Sequence, residues 1–206
     1  MSNKEGERAV GCSVNKRVVV GRPSLKVSRV ATLRYNQQHI AECLAEFDPA
    51  RHLARAPEAL ELALWFHDAV YDPAAGDNEE RSAELAKSCL AEARVSGDIA
   101  EIVSRLILAT KKHEDGADPD VSLMIDVDLS ILGREPNRFL EYEEGIRREY
   151  SWVPSFLFTS KRNEILEGFL ARERIFRTAW FYEKYEAAAR RNLESSLQKS
   201  RRDARK

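Results

Sequence analysis

The sequence predicts an all-α fold, a single-domain helical bundle, on three observations. Ala, Leu, Glu and Arg are abundant, whereas the 206 residues include only 9 Gly and 7 Pro, a composition that favours helix. From about residue 36 onward, apolar residues recur at the spacing of one helical face, with no internal repeat and no strand-rich stretch. The length suits one domain, and the 43 % of hydrophobic residues can form a sizeable core.

The apolar period and its interruptions predict eight helices. The first ends at Asp48-Pro49, and the second begins near Pro57, because proline is tolerated in a first helical turn. This second helix is expected to run to about Val70. The other six are expected at 77–94, 98–112, 120–132, 136–150, 159–172 and 173–198, with a connection broken by Pro154 before the seventh.

The two ends of the chain differ from its middle in composition. Residues 1–30 mix charges, glycines and short β-branched runs, and a short strand at 17–20 is the regular element expected there. The last residues, 199–206, form a basic tail of the kind that is usually solvated. The sequence thus divides into a weakly patterned segment 1–30, a helical domain 31–198 and this tail.

Charge and apolar runs argue against several classes of partner. A net charge of −1 and a pI near 6.5 indicate no general attraction to nucleic acid or to an anionic membrane. No apolar run approaches the roughly 18–20 residues that a membrane-spanning helix needs, and no signal-peptide pattern is found. Cys12, Cys43 and Cys89 form no CxxC pair, so free thiols and a cytoplasmic location are expected.

The stretch "LWFHDAVYD", residues 64–72, places an ionisable pair, His67-Asp68, inside an apolar run. Burying a carboxylate costs several kcal/mol unless a hydrogen-bond partner, a cationic side chain or a metal ion compensates it. The stretch "SLMIDVDLSILG" repeats the pattern with two carboxylates. Helical spacing puts Asp128 on the apolar face and Asp126 on another face, where it can support a neighbouring group.

The sequence contains four histidines, and their positions on the predicted helices differ. His39 borders the apolar face of the first helix, and His113 ends the fourth helix on its apolar line, whereas His52 is expected in a plain loop. A single inward histidine is usually a satisfied core residue. Imidazole and carboxylate together are the ligand types of transition metals, so the set of inward His and Asp residues predicts a metal site.

Four stretches carry a recognisable pattern: "ELALWFHDAVYDPAAGDNEERSA", "ATKKH", "DVDLSILG" and "AARRNLE". They resemble a bacterial group of predicted metal-dependent phosphohydrolases of the HD superfamily, over roughly residues 36–195. The resemblance implies an HD-type helical domain with His39, His67, Asp68 and Asp128 as metal ligands. It also implies that His113 completes a second metal site or contacts the substrate phosphate, and a core role for His113 stays equally open.

The same resemblance implies hydrolysis of a phosphate ester of a small molecule, for which a nucleotide is one candidate. Four protein ligands on a six-coordinate ion leave two open positions, which favours Mn, Fe, Co or Ni over Zn or Mg. Asp68 and Lys111 are candidate catalytic residues, Lys111 because it could stabilise charge on the phosphoryl oxygens. Asp72, Glu79 or Glu80 could orient the attacking water. The alternative for Lys111 is a solvated position on the helix surface. The alternative for the acids near Glu80 is simple capping of the helix.

Two further hypotheses stay open from the sequence. The stretch before His39 differs from that of the HD group, which favours a metal- or nucleotide-binding regulatory module without turnover. A purely structural helical protein with buried ion pairs is the other. The aromatic residues of the last helices are expected to pack on the core, although they could also line a substrate pocket or pair two subunits in a homo-oligomer.

Overall fold

A computed structural model describes residues 34–113 and 117–203, and within these ranges all regular structure is helical. The helices are α1 (Arg34–Ala50), α2 (Pro57–Phe66), α3 (Asn78–Glu92), α4 (Gly97–Ala109), α5 (Pro119–Leu129), α6 (Pro136–Glu149), α7 (Ser155–Leu170) and α8 (Ala179–Asp203), with short 3-10 turns at Arg51–Leu53 and Ser130–Gly133. The predicted all-α single-domain bundle is confirmed. The strand expected at 17–20 and the rest of segment 1–30 lie outside the described residues.

Helices α2, α7 and α8 differ most from their predicted bounds. Helix α2 ends at Phe66 rather than near Val70, because the Val70 N–H donates to Ser82 Oγ of α3 instead of continuing the helix. Helix α7 begins at Ser155, directly after Pro154, whose fixed φ suits the position before a helix. Helix α8 begins at 179 instead of 173 and continues to Asp203, past the predicted end at 198.

The core is centred on α5. Its buried residues lie on nearly every side of the helix, which marks a central helix rather than an amphipathic surface one. The 3-10 turn after α5 packs so closely on α8 that Gly133 has no room for a side chain: a Cβ there would lie 2.6 Å from Tyr185 Cβ.

Two cysteines, Cys43 and Cys89, are buried free thiols. Within the described ranges, no helix has both the length and the apolar character needed to cross a membrane.

Asp126 ties α5 to the segment that leads into α8. Its carboxylate is fully buried and accepts hydrogen bonds from the Arg177 N–H at 2.9 Å and the Thr178 N–H at 2.7 Å. The Thr178 hydroxyl donates to the same carboxylate at 2.7 Å. Glu186 of α8 similarly accepts from the N–H of Ile175, so backbone N–H groups in the segment before α8 bond carboxylates instead of the carbonyl oxygens of a helical turn.

Replacing Asp126 with alanine is expected to destabilise the protein by about 3 kcal/mol, because it leaves buried N–H donors without an acceptor. Asp98→Ala is the matched control, since Asp98 is exposed in the first turn of α4 and its loss should change stability by less than about 0.5 kcal/mol. Urea unfolding monitored by circular dichroism measures both. Equal stability of the two variants would contradict the anchoring role of Asp126.

Candidate functional site

Three imidazole rings converge on the carboxylate of Asp128 in α5. His39 Nε2 lies 2.9 Å from Oδ1, and His113 Nε2 lies 2.9 Å from Oδ2. His67 Nε2 lies 3.5 Å from Oδ1, which is long for a hydrogen bond. His39 comes from α1, His67 follows α2 and His113 follows α4, so one carboxylate joins four separate segments of the chain.

The ring of His67 is fixed in orientation by its own helix. Its Nδ1–H donates to the carbonyl oxygen of Leu64 at 2.9 Å, so in the neutral ring Nε2 carries the lone pair. Nε2 is buried and has no hydrogen-bond partner among the residues that the structure describes. A buried polar atom without a partner is costly, and a cation at this position would remove that cost.

The donor atoms have the spacing of a metal centre. One ligand atom each from His39, His67 and Asp128 lies within 4.8 Å of the others. Metal–ligand bonds of about 2.0–2.2 Å place neighbouring ligands roughly 3 Å apart, so only a small contraction of the cluster is needed to enclose one ion. The three residues therefore fit a divalent ion bound by nitrogen and oxygen.

Asp68 borders this group without belonging to it. Its Oδ2 lies 3.6 Å from His67 Nε2, and 32 % of its side chain is exposed. Adjacent residues on a helix point about 100° apart, but α2 ends at Phe66 and the chain then turns. The turn brings the Asp68 carboxylate near the same ring nitrogen, whereas the donor atoms close enough to enclose one ion are those of His39, His67 and Asp128.

Cys43 is a site residue that the sequence analysis placed only in the core. Its sulfur lies 3.6 Å from His39 Nε2, and its thiol donates to the Val127 carbonyl oxygen at 3.9 Å. Cys43 follows His39 by four residues, which places both side chains on one face of α1. That spacing was the available signal, and it indicates that Cys43 packs the ligand ring in place.

His113 adopts a strained backbone conformation, with φ of 49°, a region that residues other than glycine rarely occupy. Its carbonyl oxygen accepts a hydrogen bond from Arg177 Nη2 at 2.7 Å, and the Arg177 N–H is held by Asp126. The fold thus holds the imidazole of His113 against Asp128 Oδ2. Strain of this kind persists only where surrounding contacts over-determine it, and it clusters at functional sites. The contribution of Arg177 left no signal in the sequence.

The other predicted catalytic residues are not brought to the cluster. Lys111 is exposed and bonds Glu80 and the Gly76 carbonyl oxygen, in agreement with the alternative of a solvated surface. Asp72 is also exposed, and its carboxylate accepts from the Ala74 N–H. Lys111, Asp72 and Glu80 do not line the cavity beside the cluster.

The cluster opens into a cavity of about 560 Å³. His39, His67, Asp68, His113 and Asp128 all line it. Its remaining lining is mostly apolar or aromatic and comes largely from α5, α6, α7 and the connections between them: Tyr71, Glu79, Thr110, Leu129, Ile131, Leu132, Tyr142, Ile146, Glu149, Tyr150, Trp152, Val153, Leu157, Phe158, Lys161, Arg162, Ile165 and Phe169.

The late aromatic residues therefore divide between the two roles that the sequence left open. Phe176, Phe181 and Tyr185 are buried and stack on one another in the core, as expected. Trp152 and Phe158 instead line the cavity.

Without an ion, the cluster is a network of opposite charges. Burial lowers the pKa of His67, but the negative charges of Asp68 and Asp128 outweigh it and raise that pKa to about 10. Burial likewise opposes charge on His39, yet the Cys43 sulfur and Asp128 raise its pKa well above the usual range. Burial raises the pKa of Asp128, while hydrogen bonds from the surrounding imidazoles bring it well below its ordinary value. Protons thus occupy the positions that a cation would take.

Comparison with known proteins assigns no relative to this chain. No protein-family model, no curated protein and no solved structure matches it. The function is therefore inferred from the chemistry of the cluster and its cavity, and from the resemblance of the motifs.

The metal-free protein is expected to be less stable at pH 9 than at pH 6. The folded pKa of His67, about 10, exceeds its unfolded value of roughly 6.5, so the stability it contributes is full below about pH 6.5 and is lost as the pH rises toward 10. Folding lowers the pKa of Asp128, so the stability that its carboxylate contributes is present above about pH 4. That stability is lost as the pH falls further.

Thermal unfolding of chelator-treated protein at the two pH values measures this effect. His67→Gln is expected to show a smaller fall between pH 6 and pH 9, because it lacks the titrating ring. Identical falls in wild type and His67→Gln would contradict the assignment of the effect to this cluster.

Proposed function

We propose that this protein is a metal-dependent phosphohydrolase that cleaves a phosphate monoester of a small molecule. The observation that carries the proposal is the buried, unpartnered Nε2 atom of His67, which lies beside the Asp128 carboxylate in a cavity large enough for a substrate. The order of His39, His67-Asp68 and Asp128 along the chain, which resembles that of HD phosphohydrolases, supports the same proposal.

The proposed ligands are His39, His67, Asp68 and Asp128. Two imidazoles and two carboxylates suit Mn²⁺, Fe²⁺, Co²⁺ or Ni²⁺, and a six-coordinate ion would keep two positions for water and a phosphate oxygen. A bound ion of this kind supplies Lewis-acid polarisation of the phosphate and makes a water molecule more acidic. His113, at 2.9 Å from Asp128 Oδ2, orients the carboxylate in this proposal.

Glu149 is the proposed proton donor to the leaving oxygen. It lines the cavity, and its Oε2 accepts a hydrogen bond from the Tyr71 hydroxyl at 2.9 Å. Burial raises the pKa of the Glu149 carboxyl, the Tyr71 hydrogen bond lowers it, and the negative charge of Asp68 raises it further. A carboxyl group whose pKa is raised binds its proton more tightly, and it can donate that proton to the leaving oxygen as the P–O bond breaks and a water oxygen bonds to phosphorus.

Two cations lie in the same cavity, Lys161 and Arg162. Arg162 is largely buried and bonded to Glu143, so its charge is already balanced. Lys161 pairs with Glu164, but both side chains are more than two-thirds exposed, and such pairs are weak. Lys161 is therefore the cation that this proposal assigns to the phosphate, in place of the exposed Lys111.

The proposal predicts phosphate release from monoesters that is abolished by a chelator and restored by Mn²⁺. His67→Gln and Asp128→Asn are expected to reduce kcat/KM by at least about 100-fold, because each removes a ligand. His52→Gln is the matched control, since His52 is exposed and lies outside the cavity.

Phosphate release measured over a panel of monoesters tests this. A metal-loaded wild type that turns over no member of the panel would contradict the proposed hydrolysis and favour a binding module. Wild-type turnover that both ligand variants retain would contradict the proposed site.

A cytoplasmic location, expected from the cysteine pattern, belongs to the same proposal.

A further inference from the structure

The aromatic wall of the cavity is continuous with the histidine cluster. The ring centroid of Phe169 lies 6.4 Å from that of His113. Farther along the wall, the centroid of Tyr150 lies 6.4 Å from Trp152 and 6.2 Å from Phe158. A ligand held at the cluster through its phosphate therefore extends along aromatic and aliphatic side chains.

Several of these wall residues are large, apolar and open to solvent. Trp152 is 64 % exposed, Leu157 is 51 % exposed and Ile165 is 42 % exposed, although all three line the cavity. Contiguous apolar surface left open in this way marks a site that a ligand covers. The volume of about 560 Å³ lies within the range of roughly 300–1,000 Å³ that is common for small-molecule pockets.

Several polar groups of the cavity are already bonded to other protein groups. Among the described lining residues there is no Asn, Gln or Ser, and the Thr110 hydroxyl donates to the Ile107 carbonyl oxygen. The Tyr71 hydroxyl donates to Glu149, and Arg162 donates to Glu143. Glu79, Tyr150 and Lys161 also line the cavity, but they are few beside its aromatic and aliphatic side chains, so a ligand rich in hydroxyl groups would lose more hydrogen bonds to water than it regains.

We infer that the organic group of the substrate is a hydrocarbon, aromatic or branched. This inference rests on the proposed function and narrows it: the ester is neither a sugar phosphate nor a nucleotide. Trp152 and Phe158 determine this specificity by covering the hydrocarbon, while the cluster around Asp128 holds the phosphate.

The test compares three primary alkyl phosphates, whose leaving groups are of similar reactivity: 2-phenylethyl phosphate, ribose 5-phosphate and adenosine 5′-monophosphate. With Mn²⁺-loaded protein, kcat/KM for 2-phenylethyl phosphate is expected to exceed that for ribose 5-phosphate by about tenfold or more. It is also expected to exceed that for the nucleotide. Equal or better turnover of ribose 5-phosphate or the nucleotide overturns the inference and leaves the proposed hydrolysis standing.

Substitution of the wall gives a second readout. Trp152→Ala is expected to lower kcat/KM for 2-phenylethyl phosphate by about tenfold, mainly through KM, and to lower kcat/KM for ribose 5-phosphate by much less. Trp180→Ala is the matched control, because Trp180 is 39 % exposed and packs on His52 outside the cavity. A Trp152→Ala variant that loses all esters equally, or that changes only the oligomeric state, overturns the inference.

A binding measurement separates the two proposals when no ester is turned over. The probes are 3-phenylpropylphosphonate, which cannot be hydrolysed, and inorganic phosphate, each titrated into Mn²⁺-loaded protein with isothermal titration calorimetry as the readout. Tighter binding of the phosphonate, lost in Trp152→Ala, supports the hydrocarbon pocket even where turnover fails. Equal binding of the two probes overturns it.

Discussion

The structure around the site depends on one largely buried carboxylate, that of Asp128. Its two oxygens are divided, with Oδ1 facing His39 and His67 and Oδ2 facing His113. Because these rings come from segments that follow or belong to different helices, the single carboxylate fixes how α1, α2 and α4 meet α5. Asp126, two residues earlier on α5, bonds the backbone instead of imidazole rings. Its carboxylate accepts hydrogen bonds from the N–H groups of Arg177 and Thr178.

The charge balance explains why histidine and aspartate stand in apolar sequence. A carboxylate removed from water is unfavourable unless cations or donors surround it, and the imidazoles satisfy that requirement. The raised pKa values of His39 and His67 favour protonated rings in the metal-free protein. Under the proposed function the same nitrogen atoms would be metal ligands, so proton and metal would compete for them, as is general for imidazole ligands. The buried, unpartnered Nε2 of His67 is the atom at which this competition would be most direct.

Much of this arrangement followed from the sequence, because helical periodicity encodes which face of a helix a residue occupies. It selected Asp128 over Asp126 and identified His39 and His113 as inward-facing. It could not place contacts between distant elements: Tyr71 and Glu149 are 78 residues apart, and Arg177 reaches His113 from 64 residues away. Such pairs depend on packing angles that no local pattern records. The end of α2 was missed because a side chain of α3, Ser82, accepts the hydrogen bond of the Val70 N–H.

The proposed metal centre is tested most directly by titrating Mn²⁺ or Ni²⁺ into chelator-stripped protein and counting the bound metal by mass spectrometry. About one ion per chain is expected in wild type. Loss of that ion is expected in His67→Gln, whose fold is checked by circular dichroism. A folded wild type that binds no transition metal would contradict the metal centre and would make the Asp128 cluster a structural ion-pair network.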